Sequence, residues 1–279
     1  MLGANDKMGK IKLIATDLDG TLLDDNSKIS PVTIELINNL KQYGIITCLA
    51  TGRSLKTSFD VIPDNLKVDF LIFSSGAGIY DFSQKKIIHS AKLNCRETSF
   101  LQEILTTENV DFMLHLPIPD NHKFFFRANE NPTEDFIRRK SYYRNYSKPL
   151  ISKYTGEAAQ FLAIFDNPQK YKKIFDKLKD KFGLVRATSP IDGKSIWLEI
   201  FPGNTDKGFG IRYICEKYGI SLEETLATGN DFNDLAMLET VKYPYVTENS
   251  PEELKKKFLN TESNNENGVY SAIINHLPK

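Results

Sequence analysis

Two aspartates one residue apart, Asp17 and Asp19, stand where an apolar run beginning at Ile11 gives out, and Gly20 and Thr21 follow them. Ile11, Leu13, Ile14 and Ala15 read as a buried strand. Alternate side chains of an extended backbone share a face, so Asp17 and Asp19 are expected to address one point just past the strand's end. Gly20 lets the chain turn sharply away. Two carboxylates held together repel unless a cation lies between them or they share a proton. The pair therefore points to a divalent metal and to acid/base work by one partner, which is a phosphoryl-transfer site in outline.

Three further segments carry compatible chemistry. Ile45-Ile-Thr-Cys-Leu-Ala-Thr-Gly-Arg53 is a second apolar run ending in a hydroxyl. Thr51 can donate to a phosphoryl oxygen and Gly52 allows close backbone approach, while Arg53 can fork onto an anionic substrate or pair with an acid. Lys207 follows Thr205 and Asp206, either of which can cap a helix carrying Phe209, Ile214 and Tyr218. A lysine in a first helical turn is locally unfavourable, and a bound phosphate together with carboxylates would supply the missing negative charge. The fourth segment, Leu226-Ala-Thr-Gly-Asn-Asp-Phe-Asn-Asp234, gathers Asn230, Asp231, Asn233 and Asp234 just after another apolar run.

These segments need a scaffold that brings strand ends together. Strands over 11–16, 45–50 and 68–73, with helices over 31–43 and after Arg53, alternate as in a parallel doubly wound sheet, whose ligands bind at the carboxyl ends of the strands. Beyond 74–80 the pattern changes. Strands are expected over 110–116, 123–127, 160–165 and 184–188, with helices near 95–107 and 168–181. The second of these helices carries Tyr171, Ile174, Phe175, Leu178 and Phe182 as core residues. The expected architecture is an α/β, Rossmann-like core, 1–82 with 191–279, and an inserted α+β cap, 83–190.

Asp17-Leu-Asp-Gly-Thr-Leu22 resembles the first motif of the haloacid dehalogenase superfamily, and the Thr51, Lys207 and Gly229–Asp234 segments resemble its other three motifs in order. An α/β insertion between the second and third motifs is similar to the Cof-type branch. Ser75-Gly-Ala-Gly-Ile-Tyr-Asp81 resembles that branch's Asn-Gly-Ala segment, with Ser75 in place of asparagine, and segments at 249–255 and 267–273 match its C-terminal pattern. The resemblance implies a Mg²⁺-dependent phosphatase acting on a small phosphorylated metabolite, such as a sugar phosphate. Asp17 would be the nucleophile and Asp19 the acid/base. Thr51, Gly52 and Lys207 would hold phosphate and Arg53 would contact substrate. Asp17, Asp19, Asn230 and Asp234 would serve the metal, with Asp231 and Asn233 in support. The chain departs from the pattern at Asn230, where an aspartate is usual. An amide oxygen still ligates a hard cation but brings no charge, so weaker metal binding is expected unless Asp231 compensates. Two alternatives stay open: a phosphomutase of the same architecture, and a non-catalytic sensor, for which Asn230 is the hint.

Zero formal net charge over 279 residues argues against a nucleic-acid or anionic-membrane partner. Cys48, Cys95 and Cys215 have no Cys-x-x-Cys spacing and read as small core residues of a reducing compartment. The first eight residues carry no apolar signal core, so a cytoplasmic protein is expected, as a monomer or weak homo-oligomer. Asp192-Gly-Lys-Ser195 mimics the end of a nucleotide P-loop but lacks the upstream glycine, since Thr188 stands there. The Arg138–Lys148 run of cations and aromatics reads as a solvated helix face or cap surface, and Arg127 or Arg186 are the cap cations considered for an anionic substrate.

Overall fold

Apolar runs bounded by Gly, Asn and Ser turns set the strands, and N-capping side chains set the helices between them. The computed structural model describes residues 11–189 and 191–277, and the first eight residues, read for a signal core, lie outside the described residues. The first part of the chain contains β1 (Leu13–Thr16), α1 (Pro31–Asn39), β2 (Ile46–Ala50), α2 (Leu55–Phe59), β3 (Phe70–Phe73), β4 (Gly78–Asp81) and β5 (Lys86–Ser90). It continues with α3 (Cys95–Thr107), β6 (Asp111–His115), β7 (Phe124–Arg127), α4 (Glu134–Tyr142), β8 (Ser147–Pro149), β9 (Gln160–Phe165), α5 (Pro168–Leu178), β10 (Phe182–Thr188) and β11 (Ile196–Pro202). Then follow α6 (Lys207–Tyr218), β12 (Thr225–Gly229), α7 (Leu235–Thr240), β13 (Tyr243–Thr247), α8 (Glu252–Lys255), β14 (Leu259–Thr261) and α9 (Gly268–Ile274).

Eight strands form one sheet in the order β14-β13-β12-β1-β2-β3-β4-β5, parallel through β3 and antiparallel over the β4 and β5 edge. Successive residues of β1 are buried in apolar clusters on opposite faces, Ile14 with Leu49 and Leu226 on one and Leu13 and Ala15 with Ile211 and Ala227 on the other. Such two-sided burial is what a near-continuous apolar strand produces in a parallel sheet covered by helices. The chain order reverses between β1 and β12, so the crevice past their carboxyl ends is the expected ligand position. In-register pairing puts Thr16 beside both Leu49 and Thr228, and the residues that follow β1, β2 and β12 therefore emerge together.

The second sheet runs β10-β11-β9-β6-β7-β8, antiparallel except for the β7–β8 pair. Its two faces differ in chemistry. Phe112, Leu114, Phe161, Ala163, Leu198 and Ile200 bury one face beneath α3 and α5, packing with Leu101, Leu105, Ile174 and Leu178. The alternate positions, Met113, Leu162, Ile164 and Trp197, meet Phe136 of α4 on the other face. That face turns polar at one end, where His115 pairs with Gln160 and Glu199 lies on the neighbouring strand.

The strands depart from the expected partition in two places. β5, expected in the insertion, pairs with β4 in the larger sheet, and β11, to which the sequence reading assigned no element, is a central strand of the smaller one. β11 alternates Trp197, Glu199 and Phe201 with Leu198 and Ile200, and all five are buried, so it offers little exposed-polar rhythm to read. On α6 the buried residues are Lys207, Gly208, Gly210, Ile211, Ile214 and Cys215, while Tyr218 is exposed. Cys48 and Cys215 are core residues as expected, but Cys95 is exposed at the start of α3. No helix among the described residues is long and apolar enough to cross a membrane.

Candidate active site

Three strand ends and one helix start build the floor of the site. Asp17 leaves β1 with its N–H donating to the Thr228 carbonyl at 2.9 Å, and its side chain is buried. Lys207 opens α6 under the cap supplied by Asp206, whose carboxylate accepts from the Phe209 N–H at 2.6 Å. Gly208 makes the placement feasible, since a Cβ there would stand 2.4 Å from the Ala236 carbonyl oxygen. Lys207 Nζ then lies 2.7 Å from Asp17 Oδ1 and 2.6 Å from Asp234 Oδ1, with its side chain fully buried.

One ammonium between two buried carboxylates leaves an excess of negative charge. Burial, then the charge of Asp234, pushes the Asp17 carboxyl up to about 7, although Lys207 pulls it down. Burial alone would lower the lysine, yet the charges of Asp17 and Asp234 outweigh it and hold the ammonium protonated. Asp234 has no oxygen to spare: its Oδ2 accepts the N–H groups of Asn230 at 2.8 Å and Asp231 at 3.1 Å.

Asp19 lines the same cavity as Asp17, but its carboxylate is held by Arg53. Arg53 donates to it twice, Nε to Oδ2 at 2.8 Å and Nη2 to Oδ1 at 2.6 Å. The strand ends before these residues, so its alternation does not by itself set their directions, and the arginine takes the carboxylate. Of the two roles considered for Arg53, the structure places it on an acid. Thr51 is fully buried with its Oγ1 accepting from the Arg53 N–H at 3.1 Å, and Gly52 lies at the cavity wall. Asn230 lies against Gly20, whose φ of +72° and whose lack of a Cβ, 2.4 Å from Asn230 Nδ2 if built, both require glycine. Asp231 is occupied elsewhere: it accepts from the Thr188 N–H at 2.9 Å and from the Thr188 hydroxyl at 3.2 Å. Asn233 lines the cavity.

Among the described residues, no three His, Cys, Asp or Glu side chains converge as metal ligands. Asp17, Asp19 and Asn230 line the cavity with their oxygens, the Asn230 amide oxygen accepting from the Thr21 hydroxyl at 3.2 Å. All are hard oxygen donors, which fits a cation that keeps several waters.

Above this floor the polar end of the smaller sheet encloses a cavity of about 560 Å³. Three residue pairs tie roof to floor: Thr188 with Asp231, Ser75 Oγ with Glu199 Oε2 at 2.5 Å, and Asn121 Nδ2 with Ser74 Oγ at 2.6 Å. Ser74 and Ser75 both take left-handed backbone, at φ of 48° and 50°, a conformation the branch's usual asparagine tolerates better than serine. Burial raises the Glu199 carboxyl against the Ser75 hydrogen bond and the Arg139 charge. The roof also holds His115, His122, Arg139, Tyr143 and Trp197, none of which sequence reasoning had selected. One signal was available, since Asp135, Arg139 and Tyr143 repeat at i, i+4, i+8 across α4 and its cap residue. Arg138, by contrast, pairs with Glu134 at the surface as expected of a solvated face. Arg186 lies over the Phe232 ring at 4.2 Å and Arg127 is exposed, and neither lines the cavity.

Residues 14–273 match the family model of the haloacid dehalogenase-like hydrolases. The chain belongs to that family. A Bacillus subtilis protein named 5-amino-6-(5-phospho-D-ribitylamino)uracil phosphatase is 29% identical over 290 residues, covering 93% of this hydrolase and 96% of that relative. A solved phosphatase of the superfamily from Bacteroides thetaiotaomicron superposes with a TM-score of 0.78 at 19% identity, over 98% of each chain. A solved subclass IIB sugar phosphatase gives 0.74 at 19% identity, covering 95% of this chain and 98% of its own. The two solved structures support the fold; the family rests on the model match.

Proposed function

We propose that this hydrolase is a Mg²⁺-dependent phosphatase that removes phosphate from a small phosphorylated metabolite, a sugar or polyol phosphate, through an aspartyl-phosphate on Asp17. The observation that carries the reading is the buried Asp17–Lys207–Asp234 cluster, which presents Asp17 to the cavity. Lys207 keeps one Asp17 oxygen fixed and leaves the other free to attack phosphorus in line. Mg²⁺ held by the Asp17 carboxylate, the Asp19 carbonyl and the Asn230 amide would neutralise charge on the phosphoryl group.

The remaining roles fall to this chain's side chains. Arg53 is positioned to exchange Asp19 for a phosphoryl oxygen, and the released Asp19 takes up a proton from solvent and donates it to the departing alcohol. Ionised by that donation, it takes a proton from the water that attacks the aspartyl-phosphate, giving orthophosphate and restoring Asp17. Lys207 and Thr51 hold equatorial oxygens, where positioning and charge stabilisation carry most of the rate. The smaller sheet, with its helices, serves as a cap over residues of about 91–203, excluding water and admitting leaving groups of limited size. We place the protein in the cytoplasm, acting on small molecules rather than on nucleic acid or membrane, as a monomer or weak homo-oligomer.

Phosphate release from a panel of phosphorylated metabolites, with and without Mg²⁺, tests the reading. Asp17→Asn is expected to cut release by ~10³-fold or more with an unchanged fold, since the amide is nearly isosteric but not nucleophilic. An undiminished rate in the folded variant overturns the mechanism.

A further inference from the structure

The roof contains a guanidinium with nothing to hold. Arg139 lies between two rings, its Cζ 4.4 Å from the Trp197 centroid and 4.9 Å from that of Tyr143. Among the described residues its side chain makes no ion pair, and its buried Nε has no hydrogen-bond partner. The nearby carboxylates are engaged elsewhere. Asp135 accepts from Ser189 Oγ at 2.7 Å and from Trp197 Nε1 at 2.5 Å, and Glu199 accepts from Ser75 and Gln160. Arg139 is partly buried and lines the cavity, so its fork can meet a bound group, and a guanidinium matches an oxyanion in two parallel hydrogen bonds.

A second set of unmatched atoms lines the same cavity. His115 is nearly buried, and its Nδ1 lies 2.7 Å from the Asn121 carbonyl oxygen, an acceptor, so Nδ1 carries the proton. Its Nε2 is left as a partnerless acceptor, and burial together with the Arg139 charge keeps the ring neutral by lowering its pKa to about 3. Asn121 is also buried, with Oδ1 unpartnered. A cationic fork beside neutral acceptors calls for an anionic group next to hydroxyls.

We infer that the cap recognises a second oxyanion, a carboxylate or a further phosphate, at the end of the leaving group remote from Asp17, with Arg139 holding the oxyanion and His115 Nε2 accepting from an adjacent hydroxyl. This rests on the phosphatase reading and specifies its substrate class as phosphomonoesters of polyhydroxy acids or polyol bisphosphates. Asp135 acts as a positioning residue, since its bond to the Trp197 indole holds the ring over which Arg139 lies.

Matched probes test it: 6-phosphogluconate and sorbitol 1,6-bisphosphate against sorbitol 6-phosphate, which shares the polyol chain but ends in a neutral alcohol. The wild-type protein is expected to favour at least one anionic probe by ~30-fold in kcat/KM, mostly through KM, as a charge-assisted bidentate contact warrants. Arg139→Met should bring the ratio close to one, and Arg139→Lys should restore part of it. Calorimetric binding of the same probes to Asp17→Asn gives a readout independent of turnover. Equal affinity for charged and neutral probes, or tighter binding of uridine 5′-phosphate with its neutral heterocycle, overturns the inference. Hydrolysis of p-nitrophenyl phosphate by the wild type, lost in Asp17→Asn, separates its failure from failure of the phosphatase reading.

Discussion

Floor and roof of the cavity treat their polar groups in opposite ways. At the floor, Lys207 is bound by two carboxylates, Asp234 uses both oxygens and Asp19 is clamped by Arg53. At the roof, His115 Nε2, His122 Nδ1, Asn121 Oδ1 and Arg139 Nε are buried without partners among the described residues. A reaction common to many substrates needs groups preorganised before the substrate arrives, because reorientation during the step adds to the barrier. Selection between substrates needs the converse, polar groups whose penalty for remaining unpaired is relieved by the right ligand alone.

The comparison breaks most sharply at Lys207. Lys207→Met leaves Asp17 and Asp234 buried without their counter-charge, which is expected to destabilise the protein by roughly 3–5 kcal/mol and to abolish phosphate release. Denaturant unfolding and activity at a temperature where the variant is still folded check the two effects separately. A stable and active variant would mean that the floor is not preorganised by this ammonium.

Asn230 sharpens the comparison from the metal side. Asn230→Asp adds a carboxylate among the oxygens beside Gly20 and is expected to lower the Mg²⁺ concentration for half-maximal activity by about 10-fold, with Asn230→Ala raising it. The Mg²⁺ dependence of the melting temperature should move in the same direction. If neither variant shifts these midpoints, Asn230 is not a ligand.

At neutral pH the smallest effect is expected at the roof, and acid brings it out. Folded His115 takes its proton at about 3, whereas the unfolded residue does so near 6.5. Between these values the unfolded chain binds more protons, so stability falls as pH is lowered from about 6.5 towards 3. His115→Phe removes this contribution, and the pH slope of the urea midpoint should flatten over that window relative to wild type. Other groups also titrate there, so the difference in slope between the two proteins is the measured quantity. Identical slopes would show that His115 is not held neutral by its surroundings.

What was legible from sequence follows the same division. Asp17, Thr51, Lys207 and the Asn230–Asp234 loop lie in short contiguous segments next to strands or a helix start, where local geometry leaves little freedom. Two-sided apolar strands such as β1 likewise announce a covered parallel sheet. The partners of Asp19 and Asp231 were not legible, because Arg53 and Thr188 lie 34 and 43 residues away and which carboxylate each donor captures is decided by packing. Arg139 stood in a run of cations that looks solvated; the face of α4 on which it lies becomes the roof once β11 brings Trp197 beneath it.

The sequence by itself determined the doubly wound core, the presence of an insertion and the segments that carry the candidate site, because these depend on hydrophobic period and on side-chain chemistry close along the chain. Tertiary structure alone decided which charges are paired, which remain unsatisfied and what encloses them, because burial and hydrogen-bond saturation arise between residues such as Lys207 and Asp17, 190 positions apart.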